Sequence, residues 1–157
     1  MLEQYIWAFI ISMVPVVELR GAVLYAVGCN LPLVPSLIVC VLGNMLPVPF
    51  IYFFARKLLT WGSEKKYIGK VCNALLKKGE RGGQKLVKKT GRGGLFVALL
   101  LFVGIPLPGT GAWTGTMAAS FLNMGFKSTV VSVCLGVLLA GLIVSVVGVS
   151  FFTIFSL

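Results

Sequence analysis

The chain has 157 residues, 58% of them apolar and only 11% charged, with a mean hydropathy of +1.00. One soluble domain of this length has no need of so much apolar surface, and the uncharged runs approach the roughly 20 residues that cross a bilayer, so the composition points to a single integral membrane domain spanning 1–157. A net charge of +10 would suit nucleic acid, but every basic residue except Arg20 and Lys127 falls between Arg56 and Arg92, which makes the charge a property of one loop that lacks a nucleic-acid motif.

The start, Met1-Leu2-Glu3-Gln4, has no basic n-region, and the apolar run after it ends in Pro15 and charges rather than at a small-residue cleavage site, so the first segment is expected to remain. Tyr5 to Met13 is apolar and helix-compatible but about half as long as a bilayer requires. Pro15 cannot continue a helical ladder, and a second apolar stretch runs from Leu19 to Val27 before Gly28-Cys29-Asn30. Residues 1–30 are therefore either one kinked spanning helix or two half-helices forming a re-entrant hairpin whose tip, near Val14 to Glu18, lies at mid-membrane.

Residues 31–55 hold a clean spanning candidate, Leu33 to Ala55, bounded by Pro32 and by Arg56-Lys57, with Asn44 as its strongly polar residue and Pro47 and Pro49 to loosen it. Arg56-Lys57 assign that end to the cytoplasm. In the basic segment 56–94, Trp61, Tyr67, Ile68, Val71, Leu75 and Leu76 recur at near-helical spacing among lysines, the pattern of an amphipathic helix on the inner leaflet. A solvated basic linker fits as well. Gly79, Gly82, Gly83, Gly91, Gly93 and Gly94 predict a helix, a flexible turn and a short second helix. In residues 95–124, Leu95 to Val103 is again too short to span, the chain breaks at Gly104 to Gly111, and Ala112 to Leu122 follows. Residues 128–157 are the last spanning segment.

The two broken runs are counterparts: Pro15 lies in one and Pro106 in the other, and farther on Ser36 to Gly43 resembles Ser128 to Gly136. Two copies of hairpin plus helix, inserted from opposite faces, make an inverted repeat of the kind secondary transporters use. The expected fold is an all-α integral membrane protein, an inverted repeat of re-entrant helical hairpin plus transmembrane helix, with a cytoplasmic amphipathic segment.

Glu18 and Arg20 put a carboxylate and a guanidinium at membrane depth, where charge is costly and marks function. Two residues apart on a helix they do not face each other, so each is expected to find its partner across the fold, or the backbone is unwound at the tip. Glu18 is the expected proton-coupling residue, and Arg20 can hold a phosphate or carboxylate in a forked geometry. A structural pair locking the tip is the competing reading. At the second tip, Pro106 to Gly111 exposes backbone, and Gly109-Thr110-Gly111 could aim amides and a helix dipole at an anion. Asn44 and Trp113 are further candidates for the walls of a substrate site, or for helix packing.

Gly111, Gly115 and Ala119 are spaced four apart, as are Gly136 and Ala140 and then Gly141 and Ser145, small-residue ridges that let membrane helices pack closely, at a homodimer interface among other places. The four cysteines, Cys29, Cys40, Cys72 and Cys134, have no metal-ligand spacing, so neither a metal nor a disulfide framework is expected. The chain has no His, and its four acids are Glu3, Glu18, Glu64 and Glu80, so no catalytic residues and no cofactor are expected and the chain does not read as an enzyme.

On Pro15-Val16-Val17-Glu18-Leu19-Arg20-Gly21-Ala22 and Ile105-Pro106-Leu107-Pro108-Gly109-Thr110-Gly111-Ala112-Trp113-Thr114-Gly115, the sequence resembles the small multidrug export protein family, a branch similar to the DedA, or VTT-domain, membrane proteins. The resemblance implies two inverted re-entrant hairpins with spanning helices. For the wider DedA group it implies transbilayer movement of anionic lipid, in bacteria chiefly polyprenyl (undecaprenyl) phosphate, linked to protons. Glu18 and Arg20 match that group's acidic and basic hairpin residues in type. DedA proteins typically carry arginine at the second tip, where this chain has Pro, Gly and Thr.

The reading at this point is a bacterial inner-membrane, multi-pass transporter, a homodimer, whose tips bind an anionic lipid or amphipathic substrate. Arg20, Pro106, Gly109, Thr110, Gly111, Asn44 and Trp113 line the site, Glu18 carries the proton, and the basic loop gathers anionic inner-leaflet phospholipids. The alternatives are proton-coupled small multidrug export and a non-transporting membrane scaffold.

Overall fold

A computed structural model describes residues 2–15, 17–63, 69–107 and 109–155, and among them the chain is all helical. The elements are α1 (Leu2–Met13), α2 (Glu18–Gly28), α3 (Leu33–Met45), α4 (Pro47–Ser63), α5 (Gly69–Gly104), α6 (Ala112–Phe121) and α7 (Phe126–Phe155). Two apolar helical stretches of 26 residues each, Leu33–Leu58 and Phe126–Phe151, have mean hydropathies of 2.1 and 2.8 and are long enough to cross a membrane. The first of these is α3 continued into α4. Leu46 between them keeps helical angles (φ −59°, ψ −44°) and donates its N–H to Leu42 at 3.2 Å, but Pro47 and Pro49 have no N–H to give, so the ladder bonds to the Gly43 and Met45 carbonyls are missing. These two long apolar helices lie over the segments 31–55 and 128–157 that the sequence offers as spans, with their ends moved by a few residues.

The remaining apolar helices are short. With 12, 11 and 10 residues, α1, α2 and α6 reach only about 15–18 Å, and the apolar part of α5 is confined to Gly93–Gly104. α2 and α6 end in the same way. Asn30 and Asn123 stand in the left-handed region, at φ 54° and 57°, a conformation that Asn tolerates better than most residues. Leu31 and Met124 then donate back to Ala26 and Ala119, each at 3.0 Å, closing a Schellman cap. The following long helices also open alike, with the Ser36 hydroxyl on the Pro32 carbonyl and the Thr129 hydroxyl on the Gly125 carbonyl, at 2.7 and 3.1 Å. The counterpart of Ser36 is therefore Thr129, one residue on from the Ser128 that sequence similarity suggested.

Small residues bring the helices close. A Cβ on Gly43 would stand 2.6 Å from the Phe9 carbonyl oxygen, and one on Gly136 would stand 2.8 Å from that of Leu100. These contacts place the C-terminal part of α1 beside the middle of the Leu33–Leu58 helix, and the apolar part of α5 beside the middle of α7. The short return helices pack across to the other half: α2 on α7, with Leu19 against Gly141, and α6 on α4. There Ser120 donates to the Tyr52 carbonyl at 2.9 Å and the Tyr52 hydroxyl to that of Met124 at 2.5 Å. Arg56 also donates to the Asn123 side chain, at 2.7 Å. Asn123 therefore stands at the Arg56 end of the Leu33–Leu58 helix and Asn30 at its other end. The small-residue ridges are consumed by these contacts within the chain: Gly115 faces Val103, and Gly141 faces Leu37 and Leu19.

The basic segment differs from the sequence expectation. α5 runs through Gly79, Gly82 and Gly83 without a break and departs from helical angles at Gly91 (φ 71°, ψ 177°). A glycine inside a helix costs only about 1 kcal/mol, and the lysines, leucines and alanine around these three are good helix formers. Tyr67 and Ile68, and the side chains of Val71, Leu75 and Leu76, lie outside what is described, so the amphipathic face read from them does too.

Gly136→Leu is expected to destabilise the purified protein in detergent by about 1–3 kcal/mol through overpacking, whereas Gly93→Ala, which meets open space, leaves the melting temperature unchanged or raises it. Equal melting of Gly136→Leu and the native chain would contradict the close approach of α5 and α7.

Candidate functional site

The turns after α1 and α5 meet, and the first residues of α2 bind them together. Glu18 donates its N–H to the Val14 carbonyl at 2.9 Å and has φ 50°, a left-handed conformation that costs a residue with a Cβ of order 1 kcal/mol. Its side chain is only 7% exposed. The carboxylate crosses to the start of α6, where Oε1 accepts the Trp113 N–H at 3.2 Å, with the Ala112 amide beside it. It thus occupies the N-terminal cap of a helix 95 residues away, where free amides and the helix dipole favour negative charge. Gly111 is required by this approach: its backbone is extended, open to any residue, but a Cβ would overlap the Glu18 carboxylate. The Gly111 N–H is itself accepted by the Thr114 hydroxyl at 3.1 Å.

Arg20 makes the opposite connection. Its guanidinium enters the second turn and donates to the Leu107 and Thr110 carbonyls, to the Ile105 carbonyl at 3.2 Å and to the Thr110 hydroxyl at 3.1 Å. The planar fork of donors suits a turn whose carbonyls converge. Thr110 reinforces it, its hydroxyl lying 2.9 Å from the Ile105 and Leu107 carbonyls. Pro106 and Gly109, the latter at φ 85°, shape this turn. Gly109 sits there with open space where a Cβ would be, rather than against Glu18. Pro108 lies outside the described residues.

Glu18, Arg20, Thr110 and Gly111 are therefore brought together, each charged residue meeting backbone or side-chain groups on the far side of the fold. Trp113 contributes its backbone amide to Glu18, while its indole Nε1 is buried without a partner. The amides expected to receive an anion have other partners: Thr110 donates its N–H to the Leu107 carbonyl at 3.2 Å and Gly111 to the Thr114 hydroxyl, while the Glu18 carboxylate takes those of Ala112 and Trp113 just after them. Asn44, 1% exposed, reaches the same place from α3 and lines a cavity of about 10 Å³ together with Glu18, Arg20 and Ala112. Sequence reasoning missed Thr114, although its place three residues after the cap glycine is a capping-box position. It also missed Val103, Val137 and Ala140, the apolar walls of the cavity, which nothing in their type distinguishes from other core residues. Among the described residues no group of three or more His, Cys, Asp or Glu could hold a metal.

Residues 18–143 match the family described as "Putative small multi-drug export protein". The chain belongs to this family. The match opens on Glu18, just after the first turn, and carries through the second turn into α7, so it takes in Glu18, Arg20 and the turn they bind. No curated protein and no solved structure matches the chain. Family membership and the two long apolar helices together mark a membrane protein of small multi-drug export type.

Gly111→Ala and Glu18→Ala are each expected to destabilise the protein, the first by about 1–3 kcal/mol through the clash with the carboxylate. Their losses will not add in the double variant, because the clash needs both groups. Additive losses in detergent unfolding would mean that Gly111 and Glu18 do not touch.

Proposed function

We propose that the chain is a proton-coupled exporter of small amphipathic cations in the bacterial inner membrane, with Glu18 as the proton-bearing group. The observation that carries this reading is how the two turns are satisfied. Arg20 spends its donors on carbonyls of the second turn and the first amides of α6 face Glu18, so the junction offers an incoming anion few free donors. Among the described residues Glu18 is the one carboxylate lining the junction's cavity, and its protonation state sets whether the junction carries a compensating negative charge. The family's own description adds its nominal weight to export.

In this reading α1–α2 and the apolar end of α5 with α6 are two re-entrant hairpins, and the chain is an inverted repeat. Three features support it: helices of half a bilayer's length, matching asparagine caps, and the position of those caps at opposite ends of one spanning helix. The basic segment 56–94 then lies in the cytoplasm.

A second reading, transbilayer movement of an anionic lipid such as polyprenyl phosphate, draws support from the exposed Lys57, Lys77, Lys85 and Lys88, which would gather such lipids at the inner leaflet. A non-transporting scaffold would use the same basic segment without needing Glu18 or Arg20.

The test is transport in proteoliposomes. With an imposed pH gradient the native chain is expected to move a cationic dye, and Glu18→Gln to abolish that movement while the variant still folds. Movement of labelled polyprenyl phosphate in place of the dye would overturn the proposal in favour of the lipid reading, and native transport by Glu18→Gln would overturn any role for the carboxyl. Single cysteines at Asn30 and Asn123, in a chain stripped of its own four, are expected to label from opposite faces of the membrane. Labelling from one face would rule out the inverted hairpins.

A further inference from the structure

The cavity beside Glu18 has polar and apolar walls, and one of the polar groups is unaccounted for. Asn44 projects from α3 at the point where Pro47 and Pro49 thin out the ladder, is 1% exposed, and has its Oδ1 buried with no hydrogen-bond partner. A buried amide oxygen rarely goes unpartnered. The lining brings it together with Glu18 and Arg20 from α2, Gly111 and Ala112 from α6, and Val137 from α7. The volume, about 10 Å³, is close to what a single water needs.

We infer that this cavity holds one water shared by Asn44 and Glu18, and that Asn44 is thereby the positioning residue for the Glu18 proton. The inference rests on the exporter reading in giving Glu18 a proton to carry, but the site itself follows from the cavity and the orphaned oxygen.

The chemistry fits a water better than a metal cation. Asn44 Oδ1 and an ionised carboxylate are both acceptors, and water has two O–H groups, one for each. When Glu18 is protonated, its O–H donates to the water oxygen and the water keeps its bond to Asn44, so the water's contacts survive the change with one hydrogen bond reversed. A cation in the same place would share it with the Arg20 guanidinium, which lines the cavity beside Glu18. Among the described residues, those that line the cavity from other elements are the neutral Asn44, Gly111 and Ala112 at the start of α6, and the apolar Val103, Val137 and Ala140. Asn44 is thus the side chain placed to orient the carboxyl without competing for its charge.

Infrared difference spectroscopy of the full chain in lipid, between acid and neutral pH, reads this directly. The carboxyl band that disappears in Glu18→Gln belongs to Glu18. Asn44→Leu removes the acceptor, and Ala140→Val fills the cavity from an apolar lining residue. Both are expected to raise the frequency of the Glu18 band and to move its titration midpoint by about half a pH unit or more, and Asn44→Ser, which keeps a hydroxyl at the cavity, to return both toward the native values. An unchanged band and midpoint in either foldable variant would overturn the inference, as would Asn44→Ser behaving like Asn44→Leu. Dye transport that survives Asn44→Leu with its native pH profile would also overturn it, leaving the exporter reading in place. An Asn44-dependent Glu18 band in a chain that moves no dye would sink the exporter reading and leave the shared water standing.

Discussion

The fold depends on an exchange between two backbone ends that would otherwise lack partners where they meet. The start of a helix has amides with no partner inside it, and a turn has carbonyls with none. Glu18 answers the first need at α6 and Arg20 the second at the turn before it. Because the two side chains leave α2 within one turn of each other, α2 cannot be placed without placing the start of α6. Each charge is neutralised by dipoles of the opposite half of the chain, so neither half is complete alone.

The rest of the packing follows from holding those ends together. α2 must lie against α7 and α6 against α4, which makes each long helix the support of the other half's short one. Gly43, Gly136 and Gly141 let the backbones draw in far enough for that crossing, and the asparagine caps turn the chain sharply from each short helix into its long successor.

Much of this could be read in the sequence. Apolar runs located the spans, Pro15 and Pro106 the breaks, and the isolated charges at 18 and 20 the part of the chain most in need of partners. What could not be read was the identity of those partners. Arg20 binds carbonyls, which every residue carries, so no residue type in the second turn announces an acceptor. Glu18 binds amides 95 residues away, and only the absence of a side chain at Gly111 hinted that something must come close. The small-residue ridges had the right spacing for helix contact, but spacing does not say whether the neighbour is another copy or the same chain. In the basic segment, Gly79, Gly82 and Gly83 suggest breaks, but the surrounding helix formers outweigh them, and the break comes at Gly91, where φ is positive.

The two long helices are unequal in stiffness. Phe126–Phe151 contains no proline, while Leu33–Leu58 has lost two rungs at Gly43 and Met45. Bending will concentrate in the softer of the two beams, and the soft place is one residue on either side of Asn44. The cavity at Glu18 is thus walled, through Asn44, by the most pliable stretch of that helix rather than by a stiff one.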